Sequence, residues 1–301
     1  MAATARVGEI ELHYERFGEA DDPLLVLVAG LNTQAISWPL PFCAALADHG
    51  LSVVRFDNRD VGLSTHLDDS GFGRRDVDAM IVGEPHAPVP YTLSDMAADV
   101  AGLISHLSAD PVHLFGTSLG GMIAQSVAIE HPGVVASLAS LSSSTGEPEV
   151  GQPTPEALAA IMEPAPEGRE ASIERGIAVR EVWSSPGHHD PEALRDYFDE
   201  CWDRRPADAD ADARQAAAYL VSPPRDAGLR GIGVPTVVLH GDRDTLVGPS
   251  GGERTAALIP GARHVVLEGM GHDMPEAYWP TIIDAVVANI EHARVAAPGP
   301  R

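Results

Sequence analysis

The sequence predicts an α/β protein: a mostly parallel, twisted sheet with helices on both faces and one helical insertion. Three observations predict it. Short apolar runs alternate with helix-spaced segments over the first and last parts of the chain. Several of those runs are continuously apolar, as strands buried on both faces must be. Between about Ser142 and Arg225 the strand patterns vanish, and helical stretches separated by Pro replace them. A length of 301 residues suits one large core domain carrying such an insertion.

The elements follow in order. Val7 to Tyr14 alternates in the strand manner. Leu24 to Ala29 is an unbroken apolar run ending at Gly30, and it reads as a buried strand. Phe42 to His49 has helical spacing and stops at Gly50. Ser52 to Phe56 is a second buried strand, followed by the polar turn Asp57 to Gly62. Residues 66–90 are rich in Gly, Asp and Pro without a clear period, which predicts a surface excursion. Ser94 is the expected N-cap of a helix whose apolar face is Met96, Val100, Leu103, Ile104 and Leu107. Then come a strand at Val112 to Phe115, a helix at Leu119 to Glu130 and a strand at Val134 to Leu141. Helices are expected around 154–162, 169–183, 191–203 and 210–220. Strands resume at Val234 to His240 and Ala262 to Leu267, and Tyr278 to Ala293 closes the fold as a helix. The expected domains are a core of 1–141 with 226–301, and a helical cap of 142–225.

Composition bounds the function. The chain is 44% hydrophobic and 21% charged, which excludes a disordered or fibrous protein. Its 44 acidic and 20 basic residues, none of them lysine, give a net charge of −24. That charge repels phosphate backbones and anionic lipid headgroups, so neither nucleic acid nor a membrane is the expected partner. Cys43 and Cys201 cannot build a disulfide framework and are expected as buried thiols. Met1 to Tyr14 has no apolar stretch of signal-peptide length, and the six residues Leu24 to Ala29 fall far short of the roughly 20 needed to span a bilayer. A cytoplasmic protein, monomeric or homodimeric, is the expectation.

Gly116-Thr117-Ser118-Leu119-Gly120 matches the pattern G-x-S-x-G. It follows an apolar strand and opens a helix, as a turn presenting a nucleophilic serine requires. Gly248-Pro249-Ser250-Gly251-Gly252 matches too, but follows a polar loop and lies too late in the chain. Ser118 is therefore the candidate nucleophile. A hydroxyl needs a base to take its proton. His272 stands out among 13 histidines, because Gly269 to His272 sits between the last strand and the last helix, at the same sheet edge as Ser118. His113 and His240 lie inside strand patterns and read as core or edge residues. The base needs a buried acceptor to fix its tautomer. Asp244, just after the strand ending at His240, gives the chain order Ser…Asp…His that this arrangement demands. Asp242 reads as a turn residue, and Glu147 is a remote third choice. An oxyanion needs two donors, expected from the backbone N–H groups of Leu119 and Leu31.

At this point the chain resembles the α/β-hydrolase superfamily. The resemblance rests on Ala29 to Asn32, Arg55 to Ser64, the turn at Ser118, Gly241 to Asp244 and Gly269 to His272. Asn32 and Trp38 together with the Arg-Phe-Asp-x-Arg-Asp-x-Gly stretch resemble the aclacinomycin methylesterase subgroup. One feature departs: Ala29-Gly30 stands where many members have His-Gly, which still leaves a backbone donor. The superfamily also contains lyases, perhydrolases, thioesterases and non-catalytic receptors, so fold alone does not settle the reaction.

The expected function is a cofactor-independent serine hydrolase that cleaves a carboxylic ester of a neutral, largely apolar small molecule through an acyl-enzyme. A lactone, thioester or C–C bond is the alternative scissile group, and a non-catalytic binding homologue is the alternative class. No metal is expected. Asp208-Ala209-Asp210-Ala211-Asp212 lacks the Gly and Glu that would complete a calcium loop, and His188-His189-Asp190 reads as a helix start. Asn32, Trp38, Phe198, Trp202 and Tyr219 are the expected substrate contacts.

Overall fold

The computed structural model describes residues 2–163, 166–206 and 208–296. The expected core termini at 1 and 301, and residues 164, 165 and 207 of the expected cap, lie outside the described residues. The strands are β1 (Ala2–Val7), β2 (Ile10–Phe17), β3 (Leu24–Val28), β4 (Ser52–Phe56), β5 (Val112–Thr117), β6 (Val135–Leu141), β7 (Thr236–Gly241) and β8 (Arg263–Leu267). The helices are α1 (Leu40–Ala47), α2 (Arg74–Val82), α3 (Leu93–Leu107), α4 (Leu119–Glu130), α5 (Pro155–Met162), α6 (Arg169–Glu181), α7 (Pro191–Arg204), α8 (Ala209–Val221), α9 (Asp226–Leu229), α10 (Ser250–Leu258) and α11 (Trp279–Ala296).

The strands form one sheet in the order β1-β2-β4-β3-β5-β6-β7-β8. β2 runs antiparallel to β1 and β4, and the ladders from β4 to β8 are parallel. The continuously apolar β3 is fully buried, as is β4, whose Arg55 is paired with Glu15. Leu24, Val26 and Val28 face a core built with α3 and α4. Leu25 and Leu27 face a second core built with α1 and α11. Strand order reverses after β3, whose neighbours are β4 and β5. In open parallel sheets, ligands settle outside the carboxyl ends of the strands at such a reversal.

Three expectations are corrected. Val7 to Tyr14 is not one strand: β1 and β2 form a hairpin turning at Gly8 and Glu9, and Gly8 takes the left-handed φ of 57° that the turn needs. Ser94 is not the N-cap of α3. Thr92 is, in a capping box in which the Thr92 N–H donates to Asp95 Oδ2 at 2.8 Å. The 66–90 excursion contains α2, a nine-residue helix whose apolar residues crowd into Ala79 to Val82 and set no period of their own. α2 packs on α8, and Phe72 and Val77 share a small core with Ala213 and Ala217. Among the described residues no strand occurs between 142 and 235, and α5 to α8 match the four expected helical stretches closely.

Candidate active site

Ser118 stands between β5 and α4 with φ 53° and ψ −123°. A non-glycine residue at positive φ is strained, and tight packing around it is what holds it there. A Cβ on Gly120 would lie 2.1 Å from the Val28 carbonyl oxygen, so α4 starts against the end of β3 only because that position is glycine. The Ser118 N–H donates to Leu141 O at 2.9 Å, and Ser143 Oγ donates to Ser118 O at 2.8 Å. Leu119 opens α4, where backbone N–H groups lack helical partners. Gly30 lies alongside, 3.3 Å from Ser118 Cβ by the position a side chain there would take, and Leu31 follows it.

His272 and Asp244 meet at the other side of this edge. His272 Nδ1 and Asp244 Oδ2 are 2.7 Å apart. Asp244 Oδ1 accepts the N–H groups of Leu246 and Val247 at 2.9 and 2.8 Å. Burial alone would raise the Asp244 pKa, but the His272 and His240 imidazoles beside it hold the carboxyl well below the usual carboxylate range. His240 is the core strand residue that its place in the sequence predicts. It is buried in β7 with Nε2 at 2.8 Å from Val247 O and 3.4 Å from Asp244 Oδ2, so it buttresses the carboxylate. Asp242 accepts the Gly269 N–H at 2.7 Å as a turn residue. Glu147 pairs with Arg254, and Ser250 Oγ accepts the Gly151 N–H at 3.0 Å.

The loop carrying His272 is gripped from the helical segment. The His272 N–H donates to Trp183 O at 2.7 Å, and Ser185 bonds both Gly271 N–H and the Asp273 carboxylate. The close approach needs Gly271, where a Cβ would lie 2.4 Å from Trp183 O. Neither Ser185 nor Asp273 carries a sequence signal for this role. The Arg55 to Ser64 stretch works in the same way. Asn58 Nδ2 donates to Ala29 O at 3.1 Å and Asp57 accepts the Ala35 N–H at 2.6 Å, which fixes the loop after β3. Asp57 also pairs with Arg204 of α7, and Asp60 with Arg214 of α8, at 2.5 and 2.7 Å.

Ser118 and His272 line one cavity of about 430 Å³, roofed by α2, α5, α6, α7 and α8. Of the expected contacts, Asn32 and Phe198 line this cavity. Trp38 reaches its wall but is 2% exposed and packs on Phe42 and Phe115, so it is chiefly a core residue. Trp202 lines a neighbouring chamber instead. Tyr219 is 38% exposed and lines neither, because it lies on α8 one residue past the buried Ala217 and Ala218 and points away from them. Cys43 is buried as expected, and Cys201 is half-buried. Asp60, His66 and Asp68 approach one another as metal ligands could, but Arg214 occupies both Asp60 oxygens, so that carboxylate is already neutralised. Asp208 and Asp190 cap α8 and α7, as helix starts do.

A parallel sheet with a strained serine turn at its reversal point defines a class. The α/β hydrolase fold family model matches residues 23–276, and the chain belongs to that family. It is 27% identical to the rhodomycin D methylesterase DnrP of Streptomyces peucetius, over 95% of this chain and 97% of that protein. The resemblance to the methylesterase subgroup therefore holds. The chain is also 27% identical to the putative carbamate hydrolase RutD of Variovorax paradoxus, over 96% of this chain and 98% of that one. Among solved structures it resembles the enol-lactonase from Burkholderia xenovorans LB400, with a TM-score of 0.70 and 26% identity over 96% of this chain and all of that one. Family and relatives together support a hydrolase. Among the described residues, no helix is long and apolar enough to cross a membrane.

Proposed function

We propose that the protein is a cofactor-independent serine hydrolase that cleaves a carboxylic ester of a small molecule. The observation that carries this reading is the Ser118 turn opening on the same cavity as His272, whose far nitrogen is tied to a buried carboxylate. Ser118 Oγ attacks the ester carbonyl, and the Nε2 of His272 takes its proton. Asp244 holds the ring and stabilises the imidazolium that forms. The N–H groups of Leu31 and Leu119 receive the developing oxyanion. His272 returns the proton to the departing alcohol, and water then releases the acyl group by the same steps in reverse. The helices of 142–225 act as a cap, joined by α2 from outside that range. The cavity walls include Leu141, Val179, Leu246 and Met274, which supports a substrate that is neutral and largely apolar around its scissile bond. A lactone is the second reading, favoured by the likeness to the enol-lactonase.

The test is labelling by a fluorophosphonate together with turnover on a panel of esters and lactones. We expect wild-type protein to be labelled, and Ser118→Ala to lose labelling and at least about 10⁴-fold in turnover while keeping its thermal stability. A protein that takes no label and turns over no ester is a binding homologue.

A further inference from the structure

Next to the cavity over Ser118 lies a second chamber of about 210 Å³, walled by α6, α7, the start of α8 and the loop after β4. Asn32, Arg175, Gly176, Arg180, Phe198 and Asp212 line both chambers, so these residues form the boundary between them. That boundary carries an unusual charge arrangement. The chain has 44 acidic residues and only 20 basic ones, so a carboxylate partner is easily supplied to any arginine. The shielded arginines Arg55, Arg59, Arg204 and Arg214 each have one, whereas the buried Arg225 is held by Gln125 Oε1 and the Ser144 carbonyl away from either chamber. Arg175 and Arg180, which line both chambers, form no ion pair among the described residues.

The Arg180 guanidinium lies 5.9 and 5.8 Å from the ring centres of Tyr197 and Phe198, and among the described residues no carboxylate pairs with it. Arg175 Nη2 donates to the carbonyls of Ala160 and Glu163 at 3.1 and 2.5 Å, while its Nε is buried without a partner. Both side chains are thus held by backbone carbonyls and aromatic faces, and neither guanidinium is closed off by an ion pair among the described residues. Asp212, the one carboxyl shared by both chambers, forms no ion pair among the described residues. Burial and the neighbouring Asp208 push its pKa up to about 7 against the pull of Arg175, which weakens it as a counter-charge.

We infer that the boundary between the chambers seats a carboxylate at the far end of the substrate, held by Arg180 and Arg175. The inference rests on the ester-hydrolase reading and extends it: the substrate is neutral and apolar at the ester and anionic at its other end. The planar guanidinium forks match a carboxylate geometrically, and partial exclusion of water strengthens the contact. The net charge of −24 opposes an anion only at long range, and salt screens that repulsion beyond about 8 Å at physiological ionic strength.

The experiment compares two series of para-nitrophenyl esters on the full chain. One series is the half-esters of adipic, suberic and sebacic acids, which end in a free carboxylate; the other is the unsubstituted fatty acyl esters of matched length. We expect kcat/KM to favour one length of the half-ester series. Arg180→Gln should lower kcat/KM on that half-ester by about tenfold to a hundredfold, mainly through KM, and leave the neutral esters within about twofold. Arg180→Lys should recover part of the loss, and Arg175→Gln should give a loss of the same kind, which covers the case in which one variant fails to fold. Equal loss on both series, or a wild-type preference for the neutral series at every length, overturns the inference. Fluorophosphonate labelling of Ser118 in the same variants separates this failure from failure of the hydrolase reading, because labelling reports the nucleophile without the carboxylate.

Discussion

The sheet edge that carries the candidate site and the roof above it are built by different physics. At the edge, Ser118, Asp244 and His272 are held by backbone hydrogen bonds and by glycine contacts so close that no side chain fits. The roof is tied down by side-chain ion pairs, and these fall into two kinds. Arg169 with Asp199 and Asp203, and Arg195 with Glu170, are exposed pairs between α6 and α7. Such pairs contribute little, of order 0–1 kcal/mol each. Arg214 with Asp60 and Arg204 with Asp57 are shielded pairs that anchor α8 and α7 to the loop after β4. The roof also grips the edge directly, through Trp183 and Ser185 on the His272 loop and Gln215 on Asn32.

The largest expected effect breaks the edge. Asp244→Asn should cut turnover by about 10³–10⁴-fold, because the amide favours the wrong imidazole tautomer, while Asp242→Asn changes it little. Equal mild effects on steady-state turnover would move the acid to another strand end, with Glu147 next in line. The roof breaks more gently. Arg214→Ala leaves the buried Asp60 carboxylate unpaired and should cost about 3–5 kcal/mol in denaturant unfolding, whereas Arg195→Ala should cost less than about 1 kcal/mol. Similar costs for the two would mean that the shielded anchors are not what holds the roof.

The sheet behind that edge also stores a pH dependence. Burial in β5 lowers the His113 pKa from 6.5 to about 4, while Nδ1 bonds Ser137 Oγ at 2.8 Å. Because the folded pKa is the lower one, the unfolded chain binds this proton first as pH falls. Stability is therefore full above pH 6.5 and declines toward pH 4, by about 3 kcal/mol from this group. Unfolding free energies at pH 7 and pH 4 should differ less in His113→Gln than in wild type. An unchanged difference would place the acid sensitivity elsewhere.

Much of the edge was legible in the sequence, because strand runs, the Gly-x-Ser-x-Gly turn and the order Ser118, Asp244, His272 are local patterns. The roof was legible only as helices. Which face of α8 turns inward depends on long-range partners: Gln215 Oε1 accepts the Asn32 N–H at 2.9 Å while its Nε2 donates to Arg59 O, and nothing in the local pattern of α8 announces either bond. The helix α2 was hidden for the same reason, since it buries chiefly Val77 and gains its place from α8. The Arg55 to Ser64 stretch was visible as a motif, but its role was not. Its carboxylates meet arginines some 150 positions away, at separations of 147 and 154 residues.

The smallest expected effects sharpen the comparison within the roof. Phe198 lines both chambers, Trp202 lines only the second, and Tyr219 lines neither. If the cavity walls set selectivity, the ratio of kcat/KM between short and bulky neutral esters should shift most for Phe198→Ala, by about tenfold, since removing a ring from a pocket wall alters fit by more than one methylene does. Trp202→Ala should shift it less, and Tyr219→Ala should leave it within about twofold. Phe198 also packs against Gly176, where a Cβ would lie 2.7–2.9 Å from its ring, so Gly176→Ala should displace the ring and move selectivity in the opposite sense, toward smaller esters. A shift for Tyr219→Ala as large as that for Phe198→Ala would show that the roof repacks as one body, and that selectivity lies in its position over the edge and not in the residues that line it.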